Sequence, residues 1–188
     1  MAKRTFPVEY AILGLLNDEP LHGYGLRKRL DEALSPFWTI ATSQIYSALH
    51  SMQNKGLVSI EVQLQDDRPA RNVYLITPSG REEFKQWCAK PVRHLRDMRV
   101  EFLAKLYFLR RTASNEVIPL INRQTTFLER LRTRVFQHRD LPTDDHTLAD
   151  LATRFRAHQM TAAIEWLKEC KQILSQEAGG DTDGTQST

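Results

Sequence analysis

From Ala33 to Ile60 the chain carries no acidic residue, and this stretch holds Thr42, Ser43, Gln44, Tyr46, Ser47, His50, Ser51 and Asn54. At 100° per residue, Ser43, Ser47, His50, Ser51 and Asn54 fall on one side of a helix. Ile45, Ala48, Leu49 and Met52 fall on the other. Short groups that donate and accept hydrogen bonds, with no carboxylate among them, suit base edges and tolerate phosphates. Gln44 and Tyr46 flank that face. A plain solvated face is also polar, but it commonly mixes Glu with Lys. Further on, Arg68 and Arg71 share a Pro-containing segment with Asp66 and Asp67. Such arginines can clamp phosphates or enter a minor groove. The two aspartates partly cancel them, and an inert charged tip is the plainer reading. Arg27, Lys28 and Arg29 form a third basic group, weak evidence by itself.

Other chemistries find no support. Cys88 and Cys170 are far apart and sit among apolar residues, so neither a metal cluster nor a disulfide framework is expected. His22-Gly23-Tyr24-Gly25 lacks the lysine and spacing of a phosphate-binding loop. His94, His138, His146 and His158 have no ligand spacing, and no serine sits in a nucleophile elbow. No catalytic residue, cofactor or metal is assigned. Trp87, Phe102, Tyr107 and His158 are the candidates for lining an aromatic effector site, with ordinary packing the simpler role for the rings.

The elements that must hold these groups read as follows. Pro7 opens a helix carrying Val8, Ala11, Ile12, Leu15 and Leu16 inward, ended by Asn17-Asp18-Glu19-Pro20. A second helix spans Gly23 to Leu34, with Leu26, Leu30 and Ala33 inward. The third starts near Thr42 or Ser43 and stops at Gly56. Val58, Ile60, Val62 and Leu64 alternate with polar residues as in a half-buried strand. Val73 to Ile76 returns as its partner. Thr77-Pro78 starts a fourth helix, with Phe84, Trp87 and Cys88 inside.

A helix followed by a small hairpin is the layout of a winged helix-turn-helix, which sets one helix in a groove and a loop on the backbone beside it. Beyond Pro91 only helix is expected: Met98 to Leu109, Asn115 to His138, and Thr147 to Gln176. On the last of these, Leu148, Leu151, Phe155, Ala162, Trp166, Cys170 and Ile173 form an apolar stripe, expected to pair two chains in coiled-coil fashion. The expected division is therefore 1–90 winged domain, 91–177 antiparallel helical dimerisation domain, and 178–188 disordered tail.

Net charge is +3, with 11 Lys and Arg against 10 Asp and Glu up to Lys90, so any field on DNA must come from local placement. No membrane segment or signal peptide is read, and a cytoplasmic location is expected.

The chain resembles the PadR family of bacterial transcriptional regulators. The resemblance rests on AILGLL followed by HGYGL, on QIYSALHSMQNKGLV, and on RPARNVYLITPSG ending at Trp87. Glu165-Trp166-Leu167 resembles the longer subfamily, which includes phenolic-acid-responsive repressors and a virulence activator. The resemblance implies a mainly α fold with a β-hairpin wing and a homodimer on a pseudo-palindromic double-stranded operator. It also implies repression in most members, and release by a small aromatic effector in some. It places Tyr24 in the family's HGY motif, the recognition helix at Ser43, Gln44, Tyr46 and Ser47, and the wing at Arg68 and Arg71. Asp67, Ala70 and Asn72 depart from the more basic tip of many members. Two readings remain beside it: a winged-helix protein-interaction module, and a PadR-like activator without an effector.

Overall fold

The computed structural model describes residues 8–65, 68–137 and 146–180. They divide into two compact units. One holds the chain up to Lys90 together with Asp97–Ser114, the other Pro91–Arg96 with the chain from Asn115 onward. A boundary at Pro91 alone therefore misplaces one helix, which returns to the first unit.

The first unit is built around α1 (Val8–Asp18), whose Val8, Ile12, Leu13, Leu15 and Leu16 are all buried. Around it pack α2 (Gly23–Leu34), α3 (Thr42–Asn54), α4 (Pro78–Ala89) and α5 (Leu103–Thr112). The inward residues of α3 are Ile45, Ala48, Leu49 and Met52, as their spacing predicts. On α2 the buried residues are Leu26, Leu30 and Leu34, with Ala33 only half-buried. The sheet has three strands in the order β1-β3-β2: β1 (Leu21–His22), β2 (Val58–Gln65) and β3 (Arg68–Ile76). Its base is buried at Val58 and Ile76, but Val62 is 63% exposed. The predicted half-buried alternation thus ends partway up β2, because the hairpin outruns the helices that cover its base. Asp66 and Asp67 lie outside the described residues.

The helix expected from Met98 begins as a π-helical turn, Met98–Phe102, before α5. Phe108 of α5 lies over Gly14 of α1, where a Cβ would come within 2.6 Å of the ring. Trp87 stacks on Tyr10 at 4.8 Å, and Tyr10 donates to Glu83 at 3.0 Å. Burial and that carboxylate push the Tyr10 phenol up to about 12.

Lys105 is buried on α5. Its ammonium donates to Glu101 Oε1 at 2.8 Å and to the Lys90 carbonyl at 2.8 Å, and lies 4.9 Å from the Trp87 ring centre. Burial pushes its pKa below the ordinary lysine range, and the bond to Glu101 offsets part of that. In the alkaline window between the lowered folded value and the ordinary unfolded one, the unfolded chain holds more protons, so stability rises with pH there. Below that window the burial penalty is present in full. Lys105→Met is therefore expected to leave stability at pH 7 unchanged or raised. Glu101→Gln, which leaves the cation without its counter-charge, is expected to cost on the order of 3 kcal/mol. Urea midpoints that rank the two variants the other way would refute this account.

The second unit is the pair α6 (Val117–Gln137) and α7 (His146–Gly180), which pack on each other. Ala157, Met160, Ile164 and Leu167 of α7 are buried, as are Val117, Leu120, Ile121 and Leu128 of α6. Gln124, fully buried on α6, accepts from Val92 N at 2.6 Å and donates to Val92 O at 3.0 Å. One amide thus satisfies both backbone groups of Val92 and ties Pro91–Arg96 to this unit. The stripe expected to be apolar on α7 is largely open: Leu148, Leu151, Phe155, Ala162 and Ile173 are exposed, Trp166 and Cys170 half-buried. Helix α7 continues to Gly180, into the expected tail; residues 181–188 lie outside the described residues, as does the expected break at Leu141-Pro142-Thr143 with His138.

Candidate nucleic-acid interface

The outer face of α3 begins at its first turn. Ala41 occupies the N-cap position and has no side-chain acceptor, so the predicted cap by Thr42 or Ser43 is not used. Gln44 instead accepts from the Ala41 amide at 3.1 Å, half of a capping box. Thr42, Ser43, Gln44, Tyr46, Ser47, His50 and Asn54 are all exposed. Asn54 Nδ2 lies 3.2 Å from His50 Nε2. Ser51 is the exception on this face. Its hydroxyl donates to Glu9 at 2.9 Å, and Lys55 grips the same carboxylate at 2.9 and 3.0 Å. Both therefore serve the α1–α3 packing, and the free face is narrower than the helical wheel suggests.

Beside α3 lies a groove that the sequence did not disclose. Leu21 pairs with Tyr74 and His22 with Val73, which pins the start of α2 to β3. His22 caps α2, its Nδ1 accepting from Gly25 N at 2.9 Å. A Cβ on Gly23 would meet the Tyr46 hydroxyl at 2.9 Å, so the bare glycine lets the end of the Tyr46 ring lie close over this turn without shifting. Tyr24, Tyr46, Tyr74, Arg71 and Asn72 then edge a depression of about 310 Å³. Tyr24 is 70% and Tyr46 50% exposed, high for aromatic rings without a partner to cover them. Burial and the neighbouring Tyr46 raise the pKa of the Tyr74 phenol, so its proton stays available for donation. Tyr74 and Asn72 join the candidate set here. The signal in the sequence was HGY, whose glycine has meaning only once Tyr46 is seen against it.

The basic groups are less free than their spelling implies. Arg27 Nε stands 4.0 Å from Asp31, Lys28 Nζ 3.8 Å from Glu32, and Arg29 is joined to Glu19. Pairs this exposed contribute little stability, but they dilute the positive field of α2. Arg71 is exposed on β3 opposite Gln63; Arg68 starts the same strand, paired with Gln65.

Of the aromatic effector candidates, Trp87, Phe102 and Tyr107 belong to the first unit and His158 to the second. Trp87 and Phe102 are core residues, and Tyr107 flanks a small cavity of about 80 Å³ beside Asp18, Arg29 and Arg111. His158 is exposed on α7, in the other unit. Trp87 lies against Tyr10 and Phe84, and both it and Phe102 are buried, which leaves these two rings little face for a ligand. Burial also pushes the Cys88 thiol up to about 12, which keeps it protonated and unreactive. Among the described residues no cluster of His, Cys, Asp or Glu could hold a metal ion, and no helix is long and apolar enough to cross a membrane.

Residues 12–86 match the transcriptional regulator PadR-like family. The negative transcriptional regulator PadR of Bacillus subtilis (strain 168) is 30% identical over 117 residues, which cover 62% of this chain and 64% of that protein. A probable transcriptional regulator of Mycobacterium tuberculosis is 40% identical over 83 residues, 44% of each chain. The matched segments thus span less than two thirds of either relative. The crystal structure of Bacillus subtilis PadR in complex with operator DNA is similar at 22% identity over 88% of this chain and 98% of that one, with a TM-score of 0.45. Residues 12–86 are thus similar to the PadR-like family of transcriptional regulators.

Proposed function

We propose that the protein is a DNA-binding transcriptional regulator that sits on a pseudo-palindromic operator as a homodimer. The observation that carries the reading is the exposed, acid-free face of α3 lying beside the groove of Tyr24, Tyr46 and Arg71. Phosphates meet Arg71, Arg68, Arg27 and Lys28 for attraction and register. Thr42, Ser43, Gln44, Ser47 and His50 meet base edges, and Tyr24 and Tyr46 present hydroxyls over flat apolar rings. One such head makes few base contacts. Two heads on successive major grooves, about 34 Å apart, multiply their discrimination. The open stripe on α7 supplies the surface for pairing. Repression is the favoured sign, since the Bacillus subtilis relative is by name a negative regulator. Release by a small aromatic effector completes the reading.

The experiment starts with selection of bound fragments from random duplex DNA, followed by gel shifts on the enriched sequence. A two-half-site motif is expected. Ser47→Glu, which aims a carboxylate at the groove, is expected to weaken binding by about a hundredfold, from a like-charge and desolvation penalty of roughly 3 kcal/mol. Arg68→Ala with Arg71→Ala is expected to weaken it more uniformly across sequences and to lower the salt dependence by about two. Unchanged gel shifts in both variants would remove this face from any role in DNA reading.

A further inference from the structure

Tyr24 and Tyr46 leave more ring surface open than contacts through their hydroxyls need. The His22 ring backs Tyr24, nearly parallel to it at a centre-to-centre distance of 6.3 Å. That backing restricts the Tyr24 side chain while most of its ring stays in solvent. Tyr46 lies over Gly23, and both rings line the depression of about 310 Å³ within the winged unit. Asn72 and Tyr74, two residues apart on β3, share a face of the sheet and add to the lining. Nδ1 of the neutral His22 ring accepts from Gly25 N, so its proton sits on Nε2 as a further donor. Among the described residues that line the depression there is no carboxylate, and Arg71 is in no ion pair with a described residue.

Open aromatic faces beside an unpaired guanidinium and an amide are the parts of a site for an unstacked base. In a duplex the faces of the bases are hidden in the stack, and only edges and phosphates are on offer. The two rings then find no flat partner. An unpaired base offers its face to a tyrosine, its edge to the Asn72 amide and its phosphate to Arg71. We propose that this groove binds single-stranded nucleic acid, holding an unpaired base on the Tyr24 and Tyr46 rings with the adjoining phosphate on Arg71. Every base has a π-face, so the site tolerates sequence where the outer face of α3 selects it. Single strand and operator both use Tyr24, Tyr46 and Arg71, so a head that holds one is closed to the other. That exclusion rests on the operator reading; capture of an unpaired base does not.

The test uses the full chain and two fluorescent strands of about twelve nucleotides, within the usual site sizes of single-strand binders. One is oligothymidylate, and the other has the same phosphates on abasic sugars. Binding is followed by anisotropy at low salt. Oligothymidylate is expected to bind at least about tenfold tighter than the abasic strand, because stacking on the rings is lost with the bases. Tyr24→Leu is expected to weaken oligothymidylate by about tenfold and to leave the abasic strand unchanged. Tyr24→Phe, which keeps the ring, is expected to bind both strands as wild type does. Arg71→Ala is expected to weaken both strands alike and to lower the salt dependence by about 0.7. Both positions are exposed, so the thermal midpoint is expected to stay in place. Equal affinity for the two strands would make the groove a phosphate contact and overturn the proposal. Wild-type binding of oligothymidylate by Tyr24→Leu, or no saturable binding of oligothymidylate at all, would overturn it too. Operator gel shifts are run separately. A protein that selects a duplex operator and ignores oligothymidylate refutes the base site alone. One that captures oligothymidylate through Tyr24 but selects no operator leaves the groove standing and refutes only the reading of α3.

Discussion

Leu151→Glu combined with Phe155→Glu is expected to convert the proposed homodimer to a monomer and to lower its affinity for the proposed operator by two orders of magnitude or more. The expectation follows from the two apolar faces of α7. Ala157, Met160, Ile164 and Leu167 are buried in the pairing with α6. On nearly the opposite side, at 100° per residue, Leu151, Phe155 and Ile173 remain 57%, 64% and 56% exposed. A helix apolar on two sides and packed on one carries the surface of a further interface. In a two-fold pair each substitution acts twice, so four carboxylates would face a surface built for aliphatic and aromatic contact. Each large apolar side chain buried there contributes about 1.5–3 kcal/mol, and each buried unpaired charge costs more. Helix content is expected to stay, because the seam on α6 is untouched. Light scattering at micromolar concentration and gel shifts on the selected operator check the two halves of the claim. A wild-type monomer, or a variant that remains dimeric, would overturn it.

The same helix shows where periodicity stops informing. Its sequence holds two stripes, and the one from Leu148 to Ile173 carries the larger residues. The stripe that packs within the chain is the less conspicuous Ala157-Met160-Ile164-Leu167, with a small residue and a flexible one. Spacing reports that a face is apolar, not which neighbour covers it. On α3 there was one apolar face only, and Ile45, Ala48, Leu49 and Met52 were legible. The strand β1 was not, because two residues leave no alternation to read. The buried role of Gln124 was not legible either, since its partner, the Val92 backbone, has no sequence signature. The return of α5 to the first unit depends on Phe108 meeting Gly14, a contact between segments almost a hundred residues apart. Within the candidate interface, polar α3 residues and Arg71 were legible by type. Tyr74 and the groove it edges were not, since the register of β1 on β3 creates them.

Gly80→Ala is expected to cost about 3 kcal/mol of stability or more, although alanine is the better helix former. Gly80 lies in the first turn of α4, behind Thr77-Pro78. Thr77 caps that turn, its Oγ1 accepting from Gly80 N at 3.1 Å and donating to the Gly56 carbonyl at 2.7 Å. Thr77 N donates to the Leu57 carbonyl at 3.1 Å, and Leu57 N to Met52 O at 2.9 Å. The end of α3, the start of β2 and the start of α4 therefore meet at one knot of backbone bonds. A Cβ on Gly80 would lie 2.2 Å from the Leu57 carbonyl oxygen and 2.9 Å from Ile76 Cγ1. The oxygen cannot retreat without breaking its bond from Thr77, and backbone overlap of this kind exceeds the roughly 1–3 kcal/mol of ordinary overpacking. The gain in helix propensity, about 1 kcal/mol, is too small to offset it. Gly56→Ala supplies the contrast. Gly56 has φ +68° and open space around its Cβ position, so its substitution meets only the left-handed backbone penalty of about 1–2 kcal/mol. Urea midpoints followed by circular dichroism should rank wild type, Gly56→Ala and Gly80→Ala in falling order. DNA binding by Gly80→Ala should fall with its fold, since the knot that sets α3 against the wing is the part displaced. A Gly80→Ala midpoint at or above that of Gly56→Ala would show that the α3–β2 corner yields where its hydrogen bonds say it is held.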